Sequence, residues 1–430
     1  MTAHLRTGKG VTHGEDFTFL ANVVKSPEYG PNLSLGRQLD ADSREGVGRA
    51  LNYLLMIRLV RFVIPRVALF GIFDLILSIL FLLANWVIYS GLALIFNIVS
   101  GKQLLFLAVI LNLLSGSFLL ATIIGSLYYN AFTRLYYTYS AIWIGFFAYL
   151  YVASVVYGIA EQATGELFTA FGKLLIVLVV LAGVSGLARA RTIVTKEISL
   201  MLPNVPEIWK SRKIVWVSDL HLGQLNGPEL AKFVTERVNV LVPDIVFVGG
   251  DLFDGTEAPD LVALALPLSE LKATCGVYFI TGNHEDFGDN STFLAAVKKI
   301  GMRILNDELV EIDGLQIIGV DYHNSKRRKH FKQILEKLSL QKEKPSILLK
   351  HEPRDLDVAH EQGISLQLSG HTHRGQIWPF GFISQLVYKG YGYGLKSFRT
   401  MRVYTSSGTG TWGPPMRVGS DNEIVLITIR

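Results

Sequence analysis

The chain has 430 residues, of which 50% are hydrophobic and only 18% charged, with a formal net charge of +5. That length exceeds one ordinary domain, and the shortfall from the roughly 25% charge of soluble proteins excludes a uniformly water-exposed fold. A single cysteine, Cys275, excludes an intrachain disulfide and reads as a small buried residue; no dense basic face stands at groove-binding spacing, so nucleic acid is not an expected partner.

Residues 1–60 are polar, rich in Gly, Asp and Arg, and lack the charged-then-apolar order of a cleavable signal peptide. They read as a cytosolic tail, partly disordered or lying on the membrane surface. Residues 61–190 read as a transmembrane region. A bilayer core requires about 20 consecutive apolar residues per helix. Four stretches qualify: one within Val67 to Val99, containing Asp74 and Asn85, then about Leu104 to Tyr128, Leu135 to Gly158 and Leu167 to Ala188. They are apolar all round, where a soluble helix shows a polar face, and Tyr and Trp lie near several ends. Arg58, Arg61 and Arg66 precede the first, Arg134 separates the second and third, and Arg189, Arg191 and Lys196 follow the fourth. The opposite loops hold Lys102 on one side and Glu161, Glu166 and Lys173 on the other. The positive-inside rule then places both chain ends in the cytoplasm of an integral inner-membrane protein. Asp74 is either an ionisable group at membrane depth or an interfacial one, if the span begins later.

Residues 191–430 change character. Short β-branched runs at Ile214–Val217, Ile245–Val248, Val277–Ile280, Gln316–Val320, Ile347–Leu349, Leu366–Leu368, Arg402–Thr405 and Ile424–Ile429 read as strands. Pro228–Leu241 and Asp260–Lys272 read as helices, and continuous apolar runs separated by helices indicate an α/β fold with buried sheets. Five of these strands run into Asp219-Leu-His221, Asp251, Asn283-His284-Glu285, His351 and His371-Thr-His373. Strand C-terminal ends in α/β sheets line one crevice, so side chains distant in sequence are expected to meet there. In His371-Thr-His373 the two imidazoles, two residues apart in extended chain, point the same way. Each piece alone has a bland reading, such as a helix cap for a strand-terminal Asp.

Mixed imidazole and carboxylate donors suit divalent transition ions, Mn, Zn or Fe, and there are more of them than one ion takes. A bridging carboxylate between two ions resolves both the count and the repulsion. The set Asp219-x-His221, Gly250-Asp251-x-x-Asp254, Gly282-Asn283-His284-Glu285, His351 and Gly370-His371-x-His373 resembles the signature of calcineurin-like metallophosphoesterases, in family order, over about Thr192 to the end. The stretch Gly408 to Met416 is similar to the bacterial branch in which membrane helices precede the catalytic domain. The resemblance implies a two-sheet β-sandwich flanked by helices. It implies one metal held by Asp219, His221 and His373, a second by Asn283, His351 and His371, Asp251 bridging, and a catalytic His284 that would stabilise the transition state or protonate the leaving oxygen. Glu285 would orient the His284 imidazole, and Asp254 would support the site or cap the segment before Pro259. Arg374, where relatives commonly carry Gly, pairs with either a substrate phosphate or a surface carboxylate.

The loop Tyr388 to Gly394 is rich in Gly and aromatics; Tyr391 and Tyr393 either cover a ligand or meet the bilayer, or the loop is an ordinary turn. The cluster Lys326, Arg327, Arg328, Lys329, His330 and Lys332 is either a solvated loop and helix start or a patch for anionic lipid or phosphorylated substrate. The leading expectation is a phosphoesterase acting on a phosphomonoester, phosphodiester or pyrophosphate, a lipid-linked one included. A nucleotide or nucleic-acid phosphodiesterase and a non-catalytic membrane scaffold are the alternatives.

Overall fold

The computed structural model describes residues 78–165, 168–255, 260–287 and 290–430. The polar tail, Asp74, the three arginines before the first span, Glu166, Leu167 and Pro259 lie outside them. The chain divides into two compact units, Met1–Leu80 and Phe81–Arg430. Apart from Ser78, Ile79 and Leu80, every described residue belongs to the second unit.

Among the described residues, four helices are long and apolar enough to cross a membrane: α1 (Ser78–Ile95), α2 (Gly101–Leu127), α3 (Ala131–Thr164) and α4 (Thr169–Ala190). Their outward faces expose Leu, Val and Phe, as a lipid solvent permits. The helix α3 outruns the expected Leu135 to Gly158 at both ends. Asn130 caps its start by accepting from Phe132 N and Thr133 N, and Gly165, in the left-handed conformation, ends it. Polar side chains join the helices where water is absent: Asn85 Nδ2 donates to Asn112 Oδ1 at 3.2 Å, and Ser115 Oγ to Asn85 Oδ1 at 3.1 Å.

Beyond α4 the chain builds two six-stranded sheets. The first has the order β1-β12-β2-β3-β4-β5, with β1 Ile193–Leu200, β2 Lys213–Val217, β3 Ile245–Val248, β4 Val277–Phe279, β5 Arg303–Ile304 and β12 Asn422–Ile429. The second runs β10-β11-β9-β8-β7-β6, with β6 Glu308–Ile312, β7 Leu315–Gly319, β8 Ser346–Leu349, β9 Leu366–Ser369, β10 Gly394–Phe398 and β11 Met401–Thr405. Both are mixed: β2, β3, β4 and β5 pair in parallel, while β12 lies antiparallel to β2. Period-2 alternation makes the sandwich. Ile214, Trp216, Ile245 and Phe247 meet Ile317, Ile347 and Leu368 between the sheets. The alternate residues Val215, Val217, Val246 and Val248 face the helix α5 (Pro228–Val240) and its neighbours.

Some expected elements differ. The helix read over Asp260–Lys272 is a short α-helix α6 (Leu261–Ala265) followed by a 3-10 turn, Leu266–Glu270, because Pro267 donates no N–H to a continuing helix. Cys275 is only partly buried.

The membrane helices join the sandwich through capped ends. The last carbonyls of a helix lack intrahelical partners. Gln224 Nε2 donates to Gly125 O at 2.7 Å and to Tyr128 O at 2.9 Å, closing α2. Asn422 Nδ2 donates to Ala190 O at 2.7 Å, closing α4. Arg134 pairs with Glu229 at 3.2 Å and Arg189 with Asp421 at 2.5 Å, so the basic helix ends face the sandwich. Ile377 and Met416 pack with Tyr149, Ala153 and Val179 of α3 and α4.

Candidate metal centre

The five sequence blocks meet where their strands end. Ligand-capable atoms of Asp219, His221 and His373 lie within 4.8 Å of one another, as do those of Asp251, His351 and His371, and of His221, Asp251 and His284. Individual approaches are closer. His221 Nε2 stands 3.0 Å from His373 Nε2, His351 Nε2 3.0 Å from Asp251 Oδ2, and Asn283 Oδ1 2.7 Å from His371 Nδ1. All seven expected ligands and His284 are brought together, and Asp251 belongs to two of the three clusters.

Close packing of donors requires unusual backbone. Asp219, His221, Asp251, His371 and His373 all have φ between 47° and 67°, left-handed values that cost a non-glycine residue about 1–3 kcal/mol each. The strain is held by hydrogen bonds: His371 N donates to Asp219 Oδ1 at 2.8 Å and His284 N to Asp251 Oδ1 at 2.9 Å. Glycine permits the closest approach. A Cβ on Gly370 would collide with the Asp219 carboxylate, and one on Gly282 with that of Asp251.

Glu285 does not orient the His284 imidazole. Its carboxylate accepts from the backbone N–H of Leu252 at 2.8 Å, Phe253 at 3.1 Å, Asp251 at 2.9 Å and Gly282 at 2.8 Å. It thereby ties the Asp251 loop to the Asn283 loop. Asp254 Oδ1 lies 3.7 Å from His221 Nδ1, close enough for electrostatic contact and too long for a good hydrogen bond. Arg374 stacks on Tyr393, 4.4 Å from ring centroid to guanidinium carbon.

Two residues had no signal in spacing. Glu352 Oε1 stands 3.3 Å from His371 Nε2 and accepts from Tyr388 at 3.2 Å, so it fixes which His371 nitrogen faces Asn283. Arg417 is fully buried; it donates to His373 O at 2.9 Å and lies 3.2 Å from His373 Nδ1. Neither could be placed from sequence, since one merely follows His351 and the other lies 44 residues beyond His373.

Burial and mutual charge set the protonation states. Burial and Asp251 push Asp219 up to about 6 against the pull of His351. Burial raises the Asp251 carboxyl, but the cationic His351 beside it wins and holds it well below the usual range. Burial lowers His351, and the Asp251 carboxylate more than reverses this, to about 10. Burial and neighbouring imidazoles hold His221 and His373 well below their ordinary value and His371 at about 4. The neutral imidazoles of His221, His371 and His373 present free lone pairs, the state a cation requires, and His351 must give up the proton it shares with Asp251 when a cation binds. Asp219 Oδ2, His221 Nδ1 and His284 Nδ1 are buried without a hydrogen-bond partner. The orphaned Asp219 oxygen beside neutral imidazoles fits a divalent ion, whereas His221 Nδ1 is turned toward Asp254, on the ring edge away from His373.

The centre floors a cavity of about 630 Å3. Its walls are apolar: Phe287, Ile377, Phe380, Trp412 and Pro414, with Ile144 and Ala148 of α3. His284 stands at the side, edge-on to Phe287 at 5.0 Å and Trp412 at 5.7 Å.

This sandwich and this cluster define a metallophosphoesterase: the chain belongs to the calcineurin-like phosphoesterase family, whose family model matches residues 212–375. An uncharacterized metallophosphoesterase of Aquifex aeolicus is 37% identical over 238 residues, 53% of this chain and 87% of that one. One from Helicobacter pylori J99 is 34% identical over 248 residues, 57% of this chain and 65% of the relative, so the chain spans under two thirds of that protein. A transmembrane protein with metallophosphoesterase domain from Bos taurus is 33% identical over 267 residues, 58% of this chain and 59% of its own.

Proposed function

We propose that the protein is a membrane-anchored phosphoesterase with a dinuclear metal centre, hydrolysing a phosphomonoester, phosphodiester or pyrophosphate, lipid-linked substrates included. The observation that carries this reading is the convergence of Asp219, His221, Asp251, Asn283, His351, His371 and His373 in one cluster, of which His221, Asp251, Asn283, His371 and His373 line the cavity. Asp219, His221 and His373 would hold one ion, Asn283, His351 and His371 the other, with Asp251 shared; Mn, Zn or Fe matches the donor set. Bound ions supply Lewis-acid activation of water and neutralise charge on the phosphoryl oxygens. His284, beside the cluster at the cavity wall, donates the proton that the leaving oxygen requires. Glu285 and Glu352 keep the donor loops from moving during the displacement, and the apolar walls restrict bulk water.

The positive-inside pattern supports a cytoplasmic catalytic half at the inner membrane, since Arg134 and Arg189 lie on the sandwich side of the helices. A nucleic-acid substrate gains no support. In the cluster after β7, Lys326 pairs with Asp286 at 3.0 Å and Arg328 with Asp357 at 2.6 Å, which offsets part of the charge a polyanion would seek. The test is a panel of soluble and lipid-linked phosphoesters with added Mn, Zn or Fe. Asp251→Asn should lose metal and activity together. His284→Ala should keep metal and lose about 10²–10⁴ in turnover. A wild-type protein that binds metal and hydrolyses nothing in the panel would contradict the reading.

A further inference from the structure

The helix α11 (Phe380–Val387), which flanks the cavity, is turned inside out for a soluble protein. (Between α6 and it lie α7 Ser291–Lys299, α8 Tyr322–Ser325, α9 Arg328–Lys337 and α10 Leu356–Glu361.) None of its residues is buried, and Phe382, Ile383, Leu386 and Val387 are 70%, 54%, 81% and 48% exposed. Its polar residues face inward instead: Ser384 abuts Gly392, and Gln385 faces Gly390 and Tyr393. Just before it, Trp378 is 54% exposed. A contiguous apolar surface of this kind calls for a covering.

Its position says what covers it. Ile377, one turn upstream, packs in one cluster with Tyr149, Ala153 and Val179 of the spanning helices, and Phe380 shares the cavity wall with Ile144 and Ala148. The helix α3 has 34 residues, about 51 Å, against a hydrocarbon core of about 30 Å. Counting about 20 residues back from Thr164 at its far end reaches Gly145. Gly145 packs on Met416, and Ile144 and Ala148, an i,i+4 pair on one face, line the cavity. A span counted in this way puts the cavity wall and α11 at the edge of the hydrocarbon layer, continuous with the exposed apolar faces of the long helices.

We infer that α11 seats its apolar face in the bilayer and that the cavity opens sideways to it, so that an amphiphile with a phosphate ester enters from the membrane, its apolar part along Ile144, Ala148 and Phe380 and its phosphate toward the metal-ligand floor. The substrate class rests on the phosphoesterase reading; the seating of α11 does not. Exposed Lys389, two residues past the end of the helix, sits where an interfacial anchor meets anionic headgroups.

The test uses the full chain, in a Cys275→Ser background, reconstituted in vesicles of phosphatidylcholine and phosphatidylglycerol. Leu386→Cys carries an environment-sensitive fluorophore, and Lys396→Cys, on exposed β10, carries the same label as the aqueous control. Lipids spin-labelled along the acyl chain should quench the label at 386 and leave that at 396 bright. The double variant Phe382→Ser/Leu386→Asp should hydrolyse a soluble aryl phosphate at the wild-type rate and a vesicle-held phosphate ester at least about tenfold more slowly. Equal quenching at both positions, or an unchanged rate on the vesicle-held ester, overturns the inference. If the wild type hydrolyses neither ester, the phosphoesterase reading fails while the quenching still decides the seating of α11.

Discussion

Replacing Glu285 by Gln conserves shape and removes one acceptor atom. Both carboxylate oxygens are saturated, each taking two backbone N–H groups, from Leu252 and Phe253 on one and Asp251 and Gly282 on the other. The amide nitrogen of Gln must face one of these pairs, donor against donor. A buried hydrogen bond to a charged acceptor contributes about 1.5–3 kcal/mol, so two lost bonds cost about 3–6 kcal/mol. For a domain of this size each kcal/mol lowers the melting temperature by about 2–4 °C, giving a fall on the order of 10 °C. The assay is thermal unfolding of the detergent-solubilised protein, followed by titration with Mn. The loop that loses its tie carries Asp251, so metal affinity should fall with stability. Burial and Asp251 push the Glu285 carboxyl up to about 7. Were it protonated, it would offer one donor and Gln would imitate it. An unchanged melting temperature and unchanged metal affinity would therefore refute the carboxylate-tie argument.

A methyl at Gly370 would press on the Asp219 carboxylate and on Ser218, so Gly370→Ala should reduce metal content while leaving secondary structure by circular dichroism intact. Lys350 is buried, donates to Glu352 O at 3.4 Å, lies over the Phe331 ring, and is pushed down by burial to about 8. Its unfolded value is about 10.4, so the unfolded chain binds more protons between these values and stability rises with pH through that window. In Lys350→Met that slope should flatten, and stability at pH 7 should increase, in thermal unfolding at stepped pH.

The site was legible because its chemistry sits in short blocks at strand ends. Asp219-Leu-His221 and His371-Thr-His373 combine a local spacing with a preceding apolar run, and both features survive folding. The spanning helices were legible for a similar reason, since an all-round apolar run has few alternatives. Strand β1 gives no clear signal because Ile193 to Leu200 carries Thr, Lys, Glu and Ser on an edge strand with one face largely exposed. Strands β5 and β10 are short or polar and are fixed by pairing partners that sequence does not name. Glu285 was visible as a neighbour of His284, yet its role depends on where the Asp251 loop returns, a tertiary fact. Arg417 and Glu352 act through contacts across the sheet ends, for which no periodicity exists.

The most direct measurement of the central claim is the metal stoichiometry of the purified full-length protein by inductively coupled plasma mass spectrometry, with anomalous diffraction to locate the ions. Two divalent transition ions per chain are expected, roughly 3.5–4 Å apart with Asp251 between them, and Asp251→Asn should bind fewer than two. A single ion, or two ions bound away from Asp219, Asn283 and His351, would contradict the account.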